Sequence, residues 1–93
     1  MKVLIIEDEY SLADAISETL QKENYTTKII TDGEEGLEEA ITNVYDLILL
    51  DVLLPNKDGF SILKEIRKEK NDTPIIMLTA KSEIYDKLNG LEN

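Results

Sequence analysis

The 93-residue chain is long enough for one small domain, and its 42% hydrophobic and 32% charged residues are those of a soluble globular fold, not of a disordered segment. It contains no Cys and no His, which excludes disulfides, thiolate metal sites and the usual general base, so any acid–base or metal chemistry falls to Asp, Glu, Lys, Tyr, Ser or Thr. The net charge of −10, from 20 acidic and 10 basic residues, disfavours direct nucleic-acid binding and is compatible with a hard divalent cation, although solubility alone would also account for it.

Val3-Leu4-Ile5-Ile6 is a continuous apolar run, as expected of a strand buried on both faces. The run is too short, and too soon followed by acids, for a signal peptide. No run approaches the ~20 apolar residues of a membrane span, so a cytoplasmic protein is the expectation. A helix should follow, with Leu12, Ala15, Ile16, Thr19 and Leu20 inward and Asp14, Ser17, Glu18 and Gln21 outward, stopping near Asn24. Tyr25 to Ile30 reads as a more polar strand, suited to a sheet edge. Asp32 is placed to cap a second helix with Glu35 reaching back, and Leu37, Ala40, Ile41 and Val44 form its expected buried stripe.

Leu47-Ile48-Leu49-Leu50 is a second fully apolar run, hence a central strand. Pro55 and Gly59 punctuate the loop after it, and Asp58 is placed to cap a third helix with Ile62, Leu63 and Ile66 inward. Asn71 to Pro74 is a turn before the strand Ile75-Ile76-Met77-Leu78, and Ser82 is placed to cap a last helix. Strands alternating with helices predict a parallel sheet covered on both faces, with ligands bound at the carboxyl ends of the strands beside a topological switch point.

That rule directs attention to Glu7-Asp8-Glu9, to Asp51 and to Thr79-Ala80-Lys81, which follow three of the apolar runs. If the strands are neighbours, Glu7, Asp8 and Asp51 share one crevice. Carboxylates that close repel one another unless a cation offsets them, and oxygen-only ligands suit Mg2+. An acidic first loop cannot cradle a phosphate directly, which argues against a flavin or nucleotide module. Asp51 is then either an ordinary polar residue ending a strand or a carboxylate nucleophile toward a phosphoryl group; Thr79 is either a β-branched strand residue or a hydroxyl donor to that group. Glu9 is better suited to starting the first helix than to binding metal.

Ile5-Ile6-Glu7-Asp8-Glu9, Asp46 through Pro55, Asp58-Gly59 and Pro74 through Lys81 together resemble the response-regulator receiver domain of bacterial two-component systems, across residues 1–93. The resemblance implies a flavodoxin-like, doubly wound α/β sheet with strand order 2-1-3-4-5. It implies Asp51 as phosphoacceptor, served by a sensor histidine kinase and Mg2+. By the same resemblance, Asp8 is a direct Mg2+ ligand, Glu7 (where the family more often has Asp) acts through water, the Leu53 backbone carbonyl is a further ligand, and Thr79 is the switch hydroxyl beside the small Ala80. Such a protein is a signal receiver and not an enzyme, beyond catalysing its own phosphorylation and dephosphorylation. The wording around Leu53 to Pro55 and Leu88 to Asn93 leans toward regulators with a winged-helix (OmpR/PhoB-type) DNA-binding domain.

Family members continue into a fifth strand and helix that supply a Lys and an aromatic switch residue; Lys81 does not stand at that position. The expectation is therefore a receiver cut off before its last unit, without its DNA-binding domain. It would associate through the fourth strand or last helix, and the alternative function is a switch-incompetent fragment acting only in association. An Asp-nucleophile phosphohydrolase is a poorer reading, because Leu53 stands where that class needs a second Asp.

Overall fold

The computed structural model describes residues 1–54 and 57–78. The elements run β1 (Lys2–Ile6), α1 (Tyr10–Lys22), β2 (Thr26–Ile30), α2 (Gly33–Ala40), β3 (Leu47–Asp51), α3 (Gly59–Lys68) and β4 (Ile75–Leu78). The four strands form one parallel sheet in the order β2-β1-β3-β4, which is the described part of the expected order. The helix expected after Ser82 lies outside the described residues.

The apolar runs are central strands because they feed two cores at once. Alternate residues of a strand face opposite sides of the sheet. Leu4 and Ile6 of β1 join Ile48 and Leu50 of β3, with Ile62 and Ile66 of α3, in one cluster. Val3 and Ile5 join Leu49 and the α1 residues Leu12, Ala13 and Ile16 in the other. β2, with no fully buried residue, takes an edge, as its polar sequence predicts. α1 ends where expected, with Asn24 at φ 67°, a left-handed conformation that Asn tolerates.

Two inward faces differ from the sequence reading. On α1, Ser17 is buried and not solvated: its hydroxyl shares a 2.6 Å hydrogen bond with that of Thr27 on β2, and the Gln21 amide donates to both. A polar edge strand gives a buried hydroxyl its partner, which a hydrophobic pattern cannot register. On α2, the helix stops at Ala40, and Ile41 and Val44 are 42% and 53% exposed. Its buried face is Gly33, Gly36 and Ala40, with Leu37 half-buried. The reason is close approach: a Cβ on Gly36 would stand 2.8 Å from Ile6 Cγ2, so small residues face the sheet.

The turn before β4 is also more than punctuation. Asn71 and Thr73 are buried. The Asn71 amide donates to the Ala40 carbonyl at the end of α2 (2.9 Å), and its Oδ1 accepts from the Thr73 N–H (3.0 Å) and hydroxyl (2.6 Å). Arg67 of α3 donates to the Asn71 and Thr73 carbonyls. The end of α2, the end of α3 and the start of β4 are thereby tied at one point.

Candidate functional site

The topology fixes where the chemistry collects. β1 leads through α1 to β2 on one side, and β3 leads through α3 to β4 on the other, so the chain departs in opposite directions from the carboxyl ends of β1 and β3. This is the switch point at which open α/β sheets bind ligands. Ile6 pairs with Leu50 in register, so Glu7 and Asp51 leave neighbouring strands side by side.

Glu7 and Asp51 are buried and Asp8 is exposed, and one carboxylate oxygen from each lies within 4.8 Å of the others. Among the described residues no other trio of His, Cys, Asp or Glu side chains meets in this way. Each buried carboxylate is oriented by backbone just beyond its strand. Glu7 Oε2 accepts from the Glu9 N–H at 2.7 Å, and Asp51 Oδ1 accepts from the Leu53 N–H at 3.1 Å. Strand pairing extends past both ends, with Glu7 N–H donating to the Ile30 carbonyl and Val52 N–H to the Leu78 carbonyl. Two buried acids beside a third exposed one are an oxygen-only donor set of the kind that suits a hard cation.

The loop after β3 is closed as tightly as the crevice. Gly59 N–H donates to the Val52 carbonyl at 3.0 Å. A Cβ on Gly59 would collide with the Asp51 carbonyl oxygen and stand 3.0 Å from Val52 Cα, so only glycine lets α3 begin here. Asp58 caps α3, accepting from the Ser61 N–H at 3.0 Å and its hydroxyl at 2.9 Å. The Ser61 N–H, foremost, holds the Asp58 carboxyl below its ordinary pKa.

The predicted residues Glu7, Asp8 and Asp51 thus come together. Leu53 adjoins them, but through its N–H to Asp51, while its side chain is exposed. Thr79, Ala80 and Lys81 lie outside the described residues. Glu9 is the N-cap residue of α1 and accepts from the Ser11 hydroxyl. The tight contact of Gly59 with the Asp51 backbone was not read from the sequence, where Gly59 marked only a loop.

A four-stranded parallel sheet of flavodoxin-like order, with an acidic trio at its switch point, defines a class, and comparison agrees with it. The chain belongs to the response regulator receiver domain family, whose model matches residues 3–93. A receiver is a signalling module and not an enzyme with a separate substrate. Among curated relatives, the transcriptional regulatory protein DltR of Streptococcus agalactiae is 49% identical over 92 residues, covering 99% of this chain and 41% of DltR. The response regulator ArlR of Staphylococcus saprophyticus is 53% identical over 91 residues, covering 98% and 41%. The chain therefore spans well under half the length of these relatives. Among solved structures, the Thermotoga maritima response regulator TrrA in complex with Mg(2+)-BeF matches with a TM-score of 0.80 at 35% identity, covering 97% of this chain and 79% of that one. The receiver domain of the Francisella response regulator 1452 matches with a TM-score of 0.80 at 36% identity, covering 98% and 75%.

Proposed function

We propose that this chain takes a phosphoryl group from a sensor histidine kinase onto Asp51, with Mg2+ as cofactor, to control transcription through the longer protein of its relatives' kind. The convergence of Glu7, Asp8 and Asp51 within 4.8 Å carries the proposal. The donor set fits Mg2+, with Asp8 and Asp51 as direct ligands, Glu7 acting through water and the Leu53 carbonyl completing the protein's share. The likeness to TrrA, solved with Mg(2+)-BeF, supports the same choice of ion. When bound, the ion supplies charge compensation for the phosphoryl oxygens.

The chain's own contribution is orientation. The Leu53 N–H fixes the plane of the Asp51 carboxylate, and the Gly59 contact fixes the backbone beneath it. An Asp51 oxygen attacks phosphorus as the P–N bond of a phosphoimidazole donor breaks, and the departing imidazole nitrogen keeps the bond's electron pair and takes up a proton. Thr79, by family likeness, donates its hydroxyl to a phosphoryl oxygen. The chain promotes its own phosphorylation and dephosphorylation and does not touch DNA itself, in keeping with its −10 charge. No described helix is long and apolar enough to cross a membrane; the location we propose, the cytoplasm, rests on the family.

Calorimetric titration with Mg2+ tests the site. Saturable one-to-one binding is expected for the chain, and at least tenfold weaker binding for Asp8→Ala. Equal affinities would contradict the ligand assignment. A second reading, self-association through β4, is supported by Ile76, which is 52% exposed on that apolar strand. Light scattering that reports a monomer at all concentrations would exclude it.

A further inference from the structure

Lys57 sits between α2 and α3. Its Nζ lies 2.7 Å from Glu65 Oε2 on α3 and 3.4 Å from Glu34 Oε1 in the first turn of α2, and its side chain is only 22% exposed. A cation is electrostatically misplaced beside a helix N-terminus, so the two carboxylates must be what holds it there. The close pairing with Glu65, above all, keeps its pKa above the ordinary lysine value, so the ammonium persists through the neutral range.

Lys57 is also mechanically close to Asp51. The next residue, Asp58, is locked into the α3 cap, and the one after it, Gly59, is bonded to the Val52 carbonyl and lies flush against the Asp51 backbone. A displacement of Lys57 therefore reaches Asp51 within two residues.

We infer that Lys57 is a positioning residue: by bridging Glu34 of α2 and Glu65 of α3 it holds the start of α3 in place and thereby sets the backbone that aims Asp51. The functional side of this inference rests on Asp51 as phosphoacceptor, but the bridge itself can be read without metal or phosphate. Removing the ammonium forfeits two attractions and leaves the Glu34 and Glu65 carboxylates facing each other. Because those carboxylates are 62% and 43% exposed, the effect is modest.

The test is native-state amide hydrogen exchange of the full 93-residue chain at low salt without divalent ions. The Gly59 N–H is read against the Ile48 N–H, which donates to the Pro74 carbonyl within the sheet. Lys57→Gln accelerates exchange at Gly59 by about two- to fivefold and leaves Ile48 unchanged. Lys57→Arg preserves the slow exchange, and Glu65→Gln shifts it in the same direction as Lys57→Gln. The difference between parent and Lys57→Gln closes near ~1 M salt, where screening removes surface pairs. Phosphoryl uptake from a small phosphodonor slows by a similar factor in Lys57→Gln.

Equal acceleration at both amides, no change at Gly59, or a difference indifferent to salt would each overturn the inference. So would an unchanged uptake rate in a Lys57→Gln chain whose parent is phosphorylated. A parent chain that takes up no phosphoryl group refutes the phosphoacceptor reading instead, and the exchange result still decides whether the bridge holds the loop.

Discussion

Asp51 is closely framed by its own backbone and that of the loop after it. Its carbonyl and the Cα of Val52 leave no room for a side chain at residue 59. Gly59→Ala should therefore lower stability by about 1–3 kcal/mol through overpacking against backbone that cannot yield, measured by urea denaturation. An unchanged midpoint would show that the loop can retreat. Tyr45 gives a second residue-level prediction. Its phenol is buried and donates to Glu39 Oε2 at 2.7 Å, and burial first, then that bond, pushes its pKa from 10.0 to about 12. The folded state holds this proton more tightly than the unfolded chain does. The associated stability is thus complete below pH 10 and is lost as the pH rises toward about 12. Tyr45→Phe should flatten the fall in stability across that window; an identical alkaline profile would contradict the assignment.

Among the elements, the long apolar runs were legible because a doubly covered parallel strand can be little else. β1, β3 and β4, the edge position of β2 and the caps Asp32 and Asp58 all follow from local chemistry, and all are present in the fold. The helix faces were legible only where packing is side chain against side chain, as for Ile62 and Ile66. They were not legible where backbone approaches a strand, as at Gly36, or where a hydroxyl is satisfied inside, as at Ser17. The Asn71 junction escaped for the same reason: a polar turn sequence does not disclose that its amide will bond a carbonyl on another helix. Asn71→Ala should cost about 1–3 kcal/mol, because the Ala40 carbonyl and the Thr73 groups lose a buried partner. Thermal unfolding that matches the parent would show that water replaces the amide.

At the scale of the whole molecule, the −10 charge and the acidic crevice act together. The meeting of Glu7, Asp8 and Asp51 was legible in the sequence because they end apolar runs whose neighbours could be inferred from topology. What was not legible is the backbone that aims them, since the Leu53 N–H and the Gly59 contact exist only once the loop has closed. A cation that binds only the folded chain stabilises it by about 2.7 kcal/mol at one hundred times its Kd. Mg2+ should therefore raise the Tm of the chain clearly, and that of Asp51→Asn much less.

The most direct measurement is mass spectrometry with peptide mapping after incubation with a small phosphodonor and Mg2+. The expected result is one phosphoryl group per chain, on Asp51, absent from Asp51→Asn and absent when the ion is chelated. A chain that remains unmodified, or a modification that survives in Asp51→Asn, would contradict the phosphoacceptor function proposed for this site.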